Sequence, residues 1–205
     1  MNRKSILLFI TFFLCSFICL AQNWDIDLLK DVNLHRNHSL DAFFIIVTDY
    51  AAPIAYSVPG FLFFYSVIKK KKLLKNKAQY IICSSILALI ISTIIKHIVN
   101  RPRPFITYPF LQKMIGASSP SFPSGHTSDA FTLATSLSFA FPKWYVIIPS
   151  FCWAIAVGYS RIDLGVHYPT DIFASIFIAF FSTSVVYLFF RKYAGNNSFN
   201  EYNIQ

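Results

Sequence analysis

His167 and Asp171 stand four residues apart, with Pro169 between them at a helix start. That spacing lets a carboxylate accept a hydrogen bond from one imidazole nitrogen and leaves the other nitrogen free to attack. His126 follows Pro123-Ser124-Gly125 at the opening of another apolar run. A second imidazole there can protonate a leaving alkoxide and then activate water, a transfer typically worth ~10²–10⁴ in rate. Lys96, Arg103 and Arg161 bring three positive charges, and the planar fork of arginine matches phosphate oxygens. The Ser124-Gly125 step precedes a helix, so its free amides and positive dipole end form an anion cradle, and Gly125 permits close backbone approach. Together these residues supply a nucleophile, an acid and a cationic ring for the equatorial oxygens of a phosphoryl transition state.

No residue between Asp49 and Asp129 is acidic. A divalent-metal site needs oxygen ligands, so metal-assisted hydrolysis is not expected, and neither a metal nor another cofactor is called for. Cys15, Cys19, Cys83 and Cys152 form no CxxC pair and no zinc-like spacing with histidine, which leaves buried, inert thiols as the default. Each remaining polar residue has a plain reading. His97 reads as an interfacial neighbour, Asp129 as a bundle-facing hydrogen-bond partner, and His35 and His38 as surface residues. Arg101 reads as a flanking anchor or a supporting cation, and Asp163 as a residue that shapes an outer loop.

The segments carrying this chemistry are far apart in sequence, so something must gather them. Composition says what. Of the 205 residues 55% are hydrophobic and only 13% charged, about half the charge of a soluble domain, so the bilayer is the main solvent. The net charge of +9 does not imply nucleic acid, because the basic residues cluster at the ends of apolar segments. Residues 1–21 read as an export signal, with Asn2-Arg3-Lys4 before an apolar core and Cys19-Leu20-Ala21 at its end; retention as a first span is the alternative. Residues 22–50 read as an amphipathic outer segment, either a helix lying in the interface or a solvated connector. Spans are expected over 51–68, 79–99, 127–141, 144–159 and 171–190. Together they make a membrane catalytic domain over 51–193, followed by a cytoplasmic tail over 194–205.

The fold class is therefore all-α: a polytopic membrane helix bundle of about five spans after a signal, or six if the first segment is retained. Six lysines between Lys69 and Lys77 mark the inner face. Alternating spans then bring Lys96, Arg103, His126, Arg161 and His167 to the outer membrane–water interface. Transport would demand ionisable residues at the midplane of several spans, whereas Asp129, like Lys96 and Asp171, lies near the outer end of its span.

The ordered set resembles the type 2 phosphatidic acid phosphatase family, which shares its catalytic core with vanadium haloperoxidases. Lys-x6-Arg-Pro matches Lys96 through Arg103-Pro104. Pro-Ser-Gly-His matches Pro123 to His126, and Ser-Arg-x5-His-x3-Asp matches Ser160-Arg161, His167 and Asp171. The resemblance implies that Lys96, Arg103, Ser124, Gly125 and Arg161 bind phosphate. It also implies that His126 is the general acid, His167 the nucleophile of a phosphohistidine intermediate, and Asp171 its orienting partner, without metal. Membrane members of the family act on phosphatidate, phosphatidylglycerophosphate, polyprenyl diphosphates or lipid A phosphates. The partners implied are a lipid phosphate substrate and the surrounding membrane lipids, with no oligomeric state indicated. A bacterial inner membrane with the site toward the periplasm fits an export signal and short loops. A phosphotransferase using another hydroxyl in place of water is the neighbouring expectation.

Overall fold

A computed structural model describes residues 24–193, so the expected signal, its two cysteines and the tail over 194–205 lie outside the described residues. Among the described residues every regular element is helical. A first helix, α1, covers 24–34. After a 3₁₀ turn at His38–Leu40 come α2 (Asp41–Asp49), α3 (Ala51–Ile68), α4 (Lys72–Val99), the single turn α5 (Pro104–Thr107), α6 (Gly125–Ala140), α7 (Trp144–Asp163) and α8 (Pro169–Tyr193).

Four stretches are long and apolar enough to cross a membrane: His38–Ile68, Lys72–Thr107, Trp144–Asp163 and Pro169–Lys192. Their outer faces carry large exposed side chains such as Phe61, Ile98 and Phe177, which water would penalise and lipid tails accept. The chain is an integral membrane protein. Cys83 and Cys152 lie on these exposed faces, which corrects the expectation of buried thiols.

The expected third span takes a different part. Helix α6 packs against α3, α4, α7 and α8, so protein rather than lipid surrounds it. Its sequence, GHTSDAFTLATSLSFA, is rich in small and hydroxyl residues, and Thr127, Ser128, Thr132, Thr135 and Ser136 are buried. Small side chains let the neighbouring backbones approach, and the hydroxyls find partners across and along helices. Ser128 meets Ser92 of α4 at 3.1 Å. Ser136 and Ser138 return hydrogen bonds to the carbonyls of Leu133 and Ala134. At 16 residues α6 is also shorter than the four long apolar stretches, and its hydroxyl-rich surface suits the interior of the bundle.

Helix ends follow local chemistry. The α3–α4 turn holds Lys70 at φ 52°, and α4 stops where Asn100 enters the left-handed region at φ 44°. Beyond it, Pro102 and Pro104 prevent the helix from resuming at once, and Pro104 opens α5. The lysine turn lies at one end of the bundle. The connections 100–124 and 164–168 lie at the other, where they converge.

Helix α1 is more than an interfacial float. Its Leu29 is fully buried and packs with Leu111 and Tyr168. Its polar residues also turn inward: Asp25 and Asn33 are buried, as is Arg36 just beyond the helix. Asn33 donates to the carbonyls of Gln112 (3.1 Å) and Asp163 (2.8 Å) and accepts from Gln112 N–H at 2.9 Å. It ties the 100–124 connection to the end of α7, beside the direct bond from Met114 N–H to Leu164 O at 3.4 Å.

Candidate active site

At the loop end of the bundle lies a cavity of about 300 Å³, lined by Lys96, Arg103, Gly125, His126, Asp129, Arg161, His167 and residues 116–119. Lys96 arrives on the last turn of α4, Arg103 caps α5, and Gly125 and His126 open α6. Arg161 sits on the last turn of α7, and His167 on the loop before α8.

The geometry of His167 fixes its tautomer. Its Nδ1 lies 3.2 Å from Asp171 Oδ2, and its Nε2 lies 3.1 Å from Arg103 Nη1. A guanidinium has no acceptor, so Nε2 must accept from Arg103 and the ring proton must sit on Nδ1 facing Asp171. The nitrogen turned toward the cavity is the one with the lone pair. Burial opposes the imidazolium, and the Arg161 and Arg103 charges add to that against the pull of Asp171, so His167 is driven down from 6.5 to about 3.

Asp171 is fully buried and does not line the cavity; it stands behind His167. Oδ2 accepts from Ser121 Oγ and from Tyr168 N–H at 3.0 Å, as well as from His167. Oδ1 accepts from Arg101 Nη1 at 2.9 Å. With four donors around it, this carboxylate holds its charge and its orientation.

The cations are placed by protein groups as well as by one another. Lys96 Nζ donates to the carbonyls of Pro120 and Pro123, each at 2.8 Å, so it staples the loop that delivers His126 and keeps one N–H over. Arg103 Nε donates to Ser119 O at 2.8 Å, Nη1 to Val166 O at 2.9 Å, and Nη2 to Ser119 Oγ at 3.2 Å. Arg161 is buried; Nη1 donates to Thr48 Oγ1 of α2, and Nε has no partner among the described residues. A buried guanidinium N–H costs free energy unless an acceptor meets it, and an anion in the cavity is the fitting acceptor. The Arg161 carbonyl accepts from Val166 and His167 N–H, both at 3.2 Å, which bends the loop into place.

Ser124 is where placement and expectation part. Its hydroxyl is buried against Thr127 Oγ1 at 2.9 Å, and the residue does not line the cavity. Gly125 carries the α6 N-terminus to the cavity instead. Asp129 lines the wall and accepts from Tyr56 OH at 2.9 Å, the helix-to-helix role expected of it. His35, His38 and His97 are exposed and lie away from the cavity.

Three contributors escaped the sequence reading. Ser121 sits in a serine- and proline-rich loop where nothing singles it out. Thr48 lies in the stretch 22–50 read as an amphipathic outer segment. Asp25, on α1, accepts from Arg101 Nη2 at 2.7 Å and from Thr170 N–H at 2.8 Å. Arg101 itself, read as an anchor or a supporting cation, takes the supporting place.

Comparison with known proteins follows the same core. A family model described as PAP2 superfamily matches residues 77–194. The undecaprenyl-diphosphatase BcrC of Bacillus subtilis (strain 168) is 31% identical over 159 residues, covering 77% of each chain. A lipid A 1-phosphatase of Rhizobium etli is 30% identical over 136 residues, 58% of each chain. The crystal structure of Aquifex aeolicus LpxE superposes with a TM-score of 0.72 at 28% identity, over 80% of this chain and 95% of that one. A phosphatidylglycerolphosphate phosphatase from Bacillus subtilis, at 23% identity and a TM-score of 0.70 over 93% and 96% of the two chains, shares the fold.

Proposed function

The chain belongs to the PAP2 superfamily and is a lipid phosphate phosphohydrolase of the membrane, and from that premise we propose that it hydrolyses a polyprenyl diphosphate through a phosphohistidine on His167. The observation that carries the chemistry is the ring orientation of His167: Nδ1–H toward Asp171, and Nε2 toward a cavity shared with Arg103, Arg161 and His126.

In the proposed course the terminal phosphoryl group enters between Lys96, Arg103 and Arg161. Its oxygens take over the Arg103 N–H that otherwise meets Nε2 and satisfy Arg161 Nε. Nε2 then attacks phosphorus in line. The N–P bond forms, the bond from phosphorus to the bridging oxygen breaks, and His126, held protonated by the bound anion against burial and the neighbouring cations, gives that oxygen its proton. The Nδ1 proton stays with His167, and Asp171 stabilises the positive charge that develops on the ring. His126, now neutral, takes a proton from water, and the resulting hydroxide attacks phosphorus. The N–P bond breaks, phosphate leaves, and both imidazoles return to their starting states. The cations are fixed before reaction, so little reorganisation is needed as charge moves.

One fact supports a polyprenyl diphosphate over the other lipid phosphates. Among the relatives aligned by sequence, those named undecaprenyl-diphosphatase match over 159 and 153 residues, longer than the matches to the lipid A phosphatases and the phosphatidylglycerophosphatase. The cavity of about 300 Å³ has room for a phosphorylated headgroup and not for a long chain, whose place is the apolar outside of the bundle. By the positive-inside rule the lysine turn between α3 and α4 is cytoplasmic, so the site faces the outside of a bacterial inner membrane. The test is phosphate release by the purified protein from undecaprenyl diphosphate, phosphatidylglycerophosphate and a lipid A phosphate, with His167→Ala as control. The diphosphate should be turned over fastest and His167→Ala should release none. Substantial turnover by that variant would sink the phosphohistidine, and a faster monoester would sink the substrate assignment.

A further inference from the structure

Asp25 lies outside all three motifs and 145 residues from Thr170, yet it is 2% exposed and bonded to the first turn of α8. Its Oδ1 accepts from Thr170 N–H at 2.8 Å, and its Oδ2 accepts from Thr170 Oγ1 at 2.6 Å and Arg101 Nη2 at 2.7 Å. The same guanidinium reaches Asp171 Oδ1 through Nη1 at 2.9 Å and Thr170 Oγ1 at 2.7 Å. It also lies over the Tyr168 ring, 3.6 Å from its centroid. One cation is thus shared between two buried carboxylates, one of which holds His167.

We propose that Asp25 is a positioning residue for the nucleophile, acting through Arg101 to set the place and the effective charge of Asp171. The proposal rests on His167 being the nucleophile. A cation divided between two anions neutralises neither fully, so Asp171 keeps the negative charge that draws the Nδ1 proton and makes Nε2 electron-rich. Without the Asp25 charge, Arg101 acts on Asp171 alone and that pull on His167 weakens. Asp25 also supplies an anion at the α8 N-terminus, where free N–H groups and the helix dipole favour one, which fixes the register of Asp171. Mere docking of α1 would not need a buried charge, because apolar contacts such as those of Leu29 hold a helix at lower desolvation cost.

The experiment is a double-mutant cycle in the full chain, with Asp25→Asn, Arg101→Gln, the pair and His167→Ala assayed for lipid phosphate hydrolysis. Asp25→Asn should lower kcat on the order of tenfold, as loss of a partner of a reacting group commonly does, with KM within about twofold. In the Arg101→Gln background the same change should alter kcat by less than about twofold. Losses that simply multiply, or a change confined to KM, would overturn the proposal. If His167→Ala retains activity the nucleophile assignment fails, whatever the cycle returns; if it is dead and the losses multiply, only the Asp25 proposal fails. The melting temperature in detergent separates unfolding from lost chemistry. Should Asp25→Asn not fold, Thr170→Val removes one of the groups holding Asp25 while keeping every charge. It should lower kcat at constant KM, and an unchanged kcat there overturns the proposal as well.

Discussion

Arg103 Nη1 lies 3.1 Å from His167 Nε2, which places the fork suited to a phosphate oxygen within reach of the nitrogen suited to attack phosphorus. On the proposed mechanism a single side chain therefore registers the nucleophile against the anion. Its Nε and Nη2 are fixed by Ser119, and Nη1 itself also donates to Val166 O, so the fork cannot swing away. Lysine would keep the charge but has one nitrogen, and it could not serve Ser119, Val166 and phosphate together. Arg103→Lys is expected to lower kcat/KM by roughly 10²-fold, the size of comparable losses of a transition-state donor. Steady-state kinetics on a lipid phosphate measures this, and a loss of only a few-fold would mean that charge alone matters.

The tautomer of His167 has its own consequence. Burial, reinforced by the charges of Arg161 and Arg103, brings the imidazole from 6.5 to about 3 against the opposing pull of Asp171. It should stay neutral and Nδ1-protonated from about pH 8 to about pH 5, where an ordinary histidine takes its charge. The sign for stability follows. Below 6.5 the unfolded chain binds a proton that the folded chain refuses, so this residue withdraws stability as pH falls from 6.5 toward about 3, and it costs nothing above 6.5. Imidazole ¹⁵N shifts of labelled protein, titrated over that range and assigned with His167→Ala, report both state and tautomer. A transition of His167 near 6.5 would contradict the burial argument.

Ser121 makes a third case. Its hydroxyl donates to Asp171 Oδ2, the oxygen that also meets His167 Nδ1 and Tyr168 N–H. Removing it frees Asp171 to rotate but leaves the cavity cations untouched. Ser121→Ala should lower kcat on the order of tenfold with KM little changed, in line with the loss of a supporting hydrogen bond at a reacting group. A raised KM at constant kcat would place Ser121 on the substrate instead.

What the sequence could and could not disclose is clear from these residues. Lys96, Arg103, His126, Arg161 and His167 were readable because rare polar types sit at the ends of apolar runs, where an ionisable residue demands a reason. Alternation of the spans was enough to gather them. Ser121 was not readable, because four serines lie within 118–124 and only the fold chooses which one meets Asp171. Asp25 and Asn33 were hidden for a different reason. The periodicity of α1 reveals its apolar face, and a polar face looks the same whether it meets water or a buried partner. Helix α6 was found as a span over 127–141, and its hydroxyl content is the mark of a helix enclosed by other helices.

Gly165 gives the last test, because the loop bearing His167 turns on it. Its φ is +73°, in the region where a side chain costs about 1–2 kcal/mol. An added Cβ would also stand 2.7 Å from Gln112 O and 3.0 Å from Asn33 Nδ2. The first of these is backbone, held in place by the same Asn33 that bonds Gln112 and Asp163, so it has little room to retreat. Gly165→Ala should therefore lower the melting temperature in detergent. It should also reduce kcat by displacing Val166 O and His167 together from Arg103. Gly125→Ala makes the contrast, since nothing lies within 4 Å of its added Cβ; that variant should keep the wild-type melting temperature, whatever it does to phosphate in the cavity. Equal melting temperatures for Gly165→Ala and the wild-type chain would show that the 164–168 loop can relax around a Cβ, and that its contact with α1 does not hold His167 in place.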